Sequence, residues 1–113
     1  MAVASTSPLA QRHCKACAPG TPPVEAARAA AYLKDLPGWE STGKEISKTY
    51  ACKNYYETMA FVNAVAWVAH REDHHPDLEV GYNRCRVRYS THSVGGLSEN
   101  DFICAAKVEA LFA

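Results

Sequence analysis

The chain has 113 residues, 48% hydrophobic and 21% charged, which suits one soluble domain with a single buried core. Twelve basic and twelve acidic residues cancel to a formal net charge of zero. That balance excludes the basic excess on which nonspecific nucleic-acid binding depends, and it makes self-association easy.

No apolar run approaches the roughly 20 residues that cross a bilayer, so no membrane span is expected. Residues 1–10 lack the basic start and long apolar core of a secretory signal. Acidic residues are absent before Glu25, but a single Arg12 is too little for a transit peptide. Five cysteines, odd in number and scattered, argue against a complete disulfide framework, and a reduced, cytoplasmic protein is expected.

In chain order, residues 1–20 are rich in Ala, Ser, Pro and Gly and read as an irregular arm ahead of a single domain at 21–113. The arm carries His13-Cys14-Lys15-Ala16-Cys17, one C-x-x-C without the second pair that a zinc ribbon requires. Packed or exposed thiols are the plainer alternative. Thr21-Pro22-Pro23 supplies an N-cap and a proline start for a first helix. The alanine-rich run Ala26 to Lys34 propagates it, and Leu36-Pro37-Gly38 ends it. Trp39 opens a short strand turned at Thr42-Gly43. A second strand, Glu45 to Lys53, places Ile46, Tyr50 and Cys52 on one face. Lys48 falls on that apolar face and is expected near a strand edge or snorkelling outward.

Residues 54–71 repeat Tyr55, Met59, Val62, Ala66 and Ala69 at helical spacing, widened by Phe61, Val65 and Val68. Such an arc belongs against a sheet. Leu78, Val80 and Tyr82 alternate as a third strand, and Cys85 to Thr91 forms a fourth. In the fourth strand Cys85, Val87 and Tyr89 face the core, with Arg84, Arg86 and Arg88 away from it. Those arginines form either a phosphate-binding row or, more plainly, a solvated or subunit face. Ser98 to Asp101 has the capping-box arrangement and opens a last helix with Phe102, Ile103, Ala106 and Ala110. The order α-β-β-α-β-β-α predicts an α+β fold, a four-stranded antiparallel sheet with three helices packed on one face.

Between the central helix and the second hairpin lies His70-Arg71-Glu72-Asp73-His74-His75-Pro76. Pro76 holds His75 extended, and His92 is expected to return to the same rim at the hairpin's far end. Three imidazoles support acid–base catalysis or zinc ligation with an open position. Surface histidines are the third alternative. His70 and His74 share the i, i+4 spacing of helical zinc ligands, but the helix should end near Arg71 and Glu72 is misplaced for H-E-x-x-H. His70 reads equally well as a cation favoured at a helix C-terminus.

This pattern of His70, His74-His75-Pro76, Tyr82, His92 and Asp101 resembles the signature of the pterin-4a-carbinolamine dehydratases. So do Leu36-Pro37-Gly38-Trp39, Phe61-Val62-Asn63-Ala64-Val65, Ser90-Thr91-His92 and Gly95-Gly96-Leu97-Ser98-Glu99-Asn100-Asp101-Phe102-Ile103. The arm around Cys14 and Cys17 is similar to bacterial members. The resemblance covers residues 13–113. It implies dehydration of 4a-hydroxytetrahydrobiopterin to quinonoid dihydropterin, without metal or cofactor, in tetrahydrobiopterin recycling after an aromatic amino-acid hydroxylase. It also implies a homodimer or homotetramer.

By resemblance, His74 and His92 are the principal acid–base groups and His75 a further imidazole at the pterin. Asp73, Pro76, Ser90, Thr91, Ser93 and Asp101 join these histidines as substrate-binding residues. Asp101 would orient His92, contact substrate, serve the capping box, or combine these roles. Animal members carry glutamate at the position of His70, and Glu72 is expected to point elsewhere. The alternative is a non-catalytic module, since the family in animals also serves as a dimerisation cofactor of a homeodomain transcription factor.

Overall fold

The computed structural model describes residues 8–112. A 3-10 turn at Pro8–Gln11 is followed by α1 (Ala26–Leu33), β1 (Glu40–Ser41), β2 (Ile46–Ala51) and α2 (Tyr55–Glu72). Then come β3 (Asp77–Val80), β4 (Arg84–Tyr89), a second 3-10 turn at His92–Val94 and α3 (Glu99–Ala110). The four strands form one antiparallel sheet in the order β1-β2-β4-β3. The expected α+β order and four-stranded sheet are therefore present.

The core follows from the period of two along the paired strands. Ile46 and Tyr50 on β2 and Cys85, Val87 and Tyr89 on β4 are buried on the face that carries the helices. Against them lie Phe61, Val65 and Ala69 of α2, with Phe102, Ile103, Ala106 and Val108 of α3. On the opposite face two of the three arginines are paired. Arg86 pairs with Glu79, and Arg88 with Asp77 and Glu79, across the β3–β4 ladder.

Several elements differ from the sequence expectation. The first helix starts at Ala26, after Glu25, instead of at Thr21-Pro22-Pro23. The Thr21 hydroxyl donates to the Ala18 carbonyl in a turn, and the Val24 N–H donates to the Leu97 carbonyl. Both contacts commit the segment to a loop. On α2 the line that is buried is Thr58, Phe61, Val65 and Ala69, while Tyr55 is half exposed and stacks on Tyr82. Thr58 can be buried because its hydroxyl meets the carbonyls of Asn54 and Tyr82. Val80 and Tyr82 are exposed, since β3 is a short edge strand ending at Val80.

Lys48 does not reach solvent freely. It runs past the Tyr50 ring to the Pro37 carbonyl and the Glu109 carboxylate. Its stem also explains Gly38, whose φ of +84° favours glycine and whose missing Cβ would stand 2.9 Å from Lys48 Cε. Glu109 Oε1 further accepts from Trp39 Nε1 at 3.0 Å and the Tyr50 hydroxyl at 2.7 Å. This junction fixes the C-terminal half of α3 to β2.

The arm is docked. Leu9 is buried in the core, and Lys107 of α3 donates to the Ala10 carbonyl. Residues 1–7 of the expected arm, and Ala113, lie outside the described residues.

Candidate active site

The loop carrying the paired histidines is shaped by the way α2 ends. Asn54 caps the start of α2 by accepting from the Glu57 N–H, and the helix runs one residue past Arg71, to Glu72. Asp73 then adopts the left-handed conformation, φ 50° and ψ 43°, alone in this among the described non-glycine residues. Aspartate tolerates that region better than most side chains. The His74 N–H folds back onto the Ala69 carbonyl at 3.2 Å. His74 is thereby turned under the helix, and Pro76 leads straight into β3.

The His74 side chain is only 13% exposed. Its ring lies parallel to and offset from that of Tyr89, centroids 5.8 Å apart and planes within 9°. Burial pushes the Tyr89 hydroxyl well above its usual range, so the phenol stacks as a neutral ring. His74 Nε2 meets Oδ1 of the fully buried Asp101 at 2.6 Å. A carboxylate accepts and does not donate, so Nε2 carries a proton, and in the neutral ring Nδ1 is then the acceptor.

Asp101 is held from its other side. Oδ2 accepts from the Ser98 N–H at 2.9 Å, closing the capping box of α3, and from the Thr91 hydroxyl at 2.8 Å. Since Thr91 gives its proton to Asp101, the Ser98 hydroxyl, 2.7 Å away, donates to Thr91. The capping-box reading and an orienting role thus coexist, but the imidazole that Asp101 holds is His74. Thr91 pairs with Gly96 through two backbone hydrogen bonds, which close the loop bearing His92 and Ser93.

Ser90 is half-buried beside Thr91, and Pro76 is half-buried after His75. Asp73, His75, His92 and Ser93 are exposed. Among the described residues neither the His75 ring nor the His92 ring has a protein hydrogen-bond partner. Both imidazoles remain open to a ligand. His70 lies apart, exposed and 5.5 Å from the Trp67 ring.

Glu72 does point elsewhere. Its 5% exposed carboxylate accepts from the Cys14 N–H at 2.7 Å and meets His13 Nδ1 at 3.0 Å, with Lys107 at 3.7 Å. Burial alone would raise this carboxyl, but the Cys14 amide, His13 and Lys107 outweigh it and hold it below the usual value. Among the described residues no group of three or more His, Cys, Asp or Glu side chains is placed to hold a metal ion. A cleft of about 850 Å³ opens between the arm, α1 and the start of α3, bounded by Arg12, Arg28 and Glu99. Arg12, Arg28 and Tyr32 all converge on Glu99, so these charges satisfy one another. His74, His75 and His92 do not line this cleft, and the carboxylate-braced His74 marks the better candidate.

Sequence reasoning missed Tyr89 and Ser98 as parts of the site. The period that buries Cys85, Val87 and Tyr89 also brings Thr91 inward, so position 91 could have been placed beside the imidazole from β4 alone. The Ser98 hydroxyl carried only its capping signal.

An antiparallel sheet with three helices, carrying an imidazole braced by a buried carboxylate, defines a small α+β protein. The sequence model of the family described as "Pterin 4 alpha carbinolamine dehydratase" matches residues 22–111, and the chain belongs to that family. A Nitrosomonas europaea protein that carries the dehydratase name provisionally is 62% identical over 105 residues, 92% of this chain and 93% of its own. The crystal structure of a Brucella melitensis protein described as a transcriptional coactivator/pterin dehydratase is 28% identical. It aligns with a TM-score of 0.75 over 80% of this chain and 99% of its own. A pterin dehydratase-like protein identified as a RuBisCO assembly factor of the α-carboxysome is 23% identical, with a TM-score of 0.54 over 65% of this chain and 84% of its own. That last likeness is one of fold alone.

Proposed function

We propose that this chain dehydrates 4a-hydroxytetrahydropterin to the quinonoid dihydropterin. The observation that carries the reading is His74, braced by a buried carboxylate in a chain of this family. Elimination needs an acid to protonate the departing 4a-hydroxyl as the C–O bond breaks, and a base to take the ring N–H proton. Water and the quinonoid product result, with no net redox change. His74 and His92 are the acid–base pair, and His75 is a further imidazole at the pterin. Asp101 fixes the His74 tautomer so that Nδ1 exchanges the proton. Asp73, Pro76, Ser90, Thr91 and Ser93 bind the edge of the flat heterocycle.

In this reading the product feeds a reductase that restores the cofactor of an aromatic amino-acid hydroxylase, and the enzyme is a cytoplasmic homodimer or homotetramer. Exposed aromatic residues such as Tyr56 and Trp67 on α2 favour self-association. Among the described residues no helix is long and apolar enough to cross a membrane. The purified chain should accelerate decay of the 4a-carbinolamine absorbance in the presence of a chelator, and His74→Ala should lose most of that rate. Equal rates for the two proteins would refute the mechanism. No acceleration by the native chain, together with capture of a stable partner by His74→Ala, would favour a binding module instead.

A further inference from the structure

Away from the histidines, two thiols face each other across the junction of the arm and α3. Cys14 Sγ lies 3.5 Å from Cys104 Sγ, and both cysteines are free. We propose that Cys14 and Cys104 form a peroxide-oxidisable pair, whose disulfide latches the arm onto the helix that carries Asp101.

A disulfide bond is about 2.05 Å long, so the sulfurs must close by roughly 1.5 Å. Rotation of the Cys14 side chain about its Cα–Cβ bond, with a small shift of a segment that has no regular secondary structure, can supply that movement. Cys104 is fixed and fully buried on α3, whereas Cys14 is only half-buried. The peroxide therefore meets Cys14 first. The Cys14 sulfur and burial together keep Cys104 a protonated thiol, far above the usual range. Cys14 is also held in register from both sides. Its N–H is bound to Glu72, and Asn100 grips the next residue through the Lys15 N–H at 3.0 Å and the Lys15 carbonyl at 2.7 Å.

The chemistry balances with one peroxide. The Cys14 thiolate attacks one oxygen of hydrogen peroxide, the O–O bond breaks, and hydroxide leaves, giving a sulfenic acid. Cys104 then gives up its proton and attacks the Cys14 sulfur. The S–O bond breaks and the hydroxyl departs with that proton as water. Two thiols are oxidised by two electrons, and the peroxide ends as two waters. Any dithiol reductant reverses the step. In the closed form the arm cannot leave Glu72, two residues before His74, and the bond lies three residues from Asp101 on α3.

The test uses the full chain, treated with hydrogen peroxide, alkylated, digested and analysed by mass spectrometry. The expected result is a loss of two hydrogen atoms and a cross-linked peptide joining Cys14 to Cys104. A rise in Tm of roughly 10 °C or more should accompany it, since the bond closes a long loop of the unfolded chain, and dithiothreitol should abolish the rise. Cys14→Ser and Cys104→Ala should each remove the cross-link and the Tm response, and Cys17→Ser should keep both. Cys14→Ser alone suffices if the core variant does not fold. A Cys14–Cys17 bond, an inter-chain dimer, or sulfinic acid at Cys14 with Cys104 still alkylatable after denaturation would each overturn the proposal.

Discussion

Substitutions at Asp101 can separate its structural role from the catalytic one proposed for it, because its two oxygens do different things. Oδ2 closes the start of α3 and receives Thr91, while Oδ1 holds His74. Asp101→Ala leaves three donors without their acceptor. Loss of the cap costs about 1 kcal/mol, and the other two buried bonds about 1 kcal/mol each. The sum is about 3 kcal/mol, a fall in Tm on the order of 10–20 °C for a domain of this size. Asp101→Asn acts differently. Its oxygen can stay on the Ser98 N–H and the Thr91 hydroxyl, so the fold should lose only about 1 kcal/mol. Its NH2, however, faces Nε2, and the imidazole must move its proton to Nδ1 to accept. A ring that presents N–H where a lone pair was required should slow turnover by roughly 100-fold or more, with little change in KM. Circular-dichroism melts and carbinolamine decay, measured on both variants, decide the matter. Near-native turnover in Asp101→Asn would refute this account of the tautomer. So would equal loss of stability and activity in the two variants, which would make Asp101 structural only.

Thr91→Val keeps the shape but removes the hydroxyl between Ser98 and Asp101, and should cost about 1–2 kcal/mol in chemical denaturation while lowering kcat more than it raises KM. Glu72 is held below the ordinary carboxyl value of 4.5, so the stability that it adds is complete above that pH and is lost as pH falls through the lower folded value. Glu72→Gln should therefore flatten the stability profile below about pH 4.5 and leave its slope at neutral pH unchanged, as urea titrations across that range will show. Glu109→Ala strands the donors of Trp39, Lys48 and Tyr50 and should cost about 2–4 kcal/mol, read from the midpoint of urea unfolding. Glu109→Gln should recover part of that loss.

Sequence patterning carried most of the sheet, because a period of two in β4 and a clear capping box before α3 are local signals. It failed where tertiary contacts decide. Thr58 reads as polar and is buried, since two carbonyls from different segments satisfy its hydroxyl. Tyr55 reads as core and is half exposed, because the edge strand beneath it ends early. Lys48 finds its carboxylate 61 positions away, which no window of sequence contains. The site shows the same division. The histidines are visible as residues, and family resemblance supplied their roles. That Asp101 holds His74 and not His92 depends on the left-handed turn at Asp73 and on the inward face of β4 meeting the first turn of α3.

The docked arm also bears on the order in which this chain can be made. Ala10 waits for Lys107, 97 residues later, and Cys14 for Cys104, 90 residues later. Leu9 has no complete niche until the same helix arrives. While the ribosome is still extending the chain, the sheet can assemble, but its helical cover stays unfinished and apolar surface stays open. Contacts of such wide separation slow the final step, and the nascent chain meets chaperones or copies of itself with that surface uncovered.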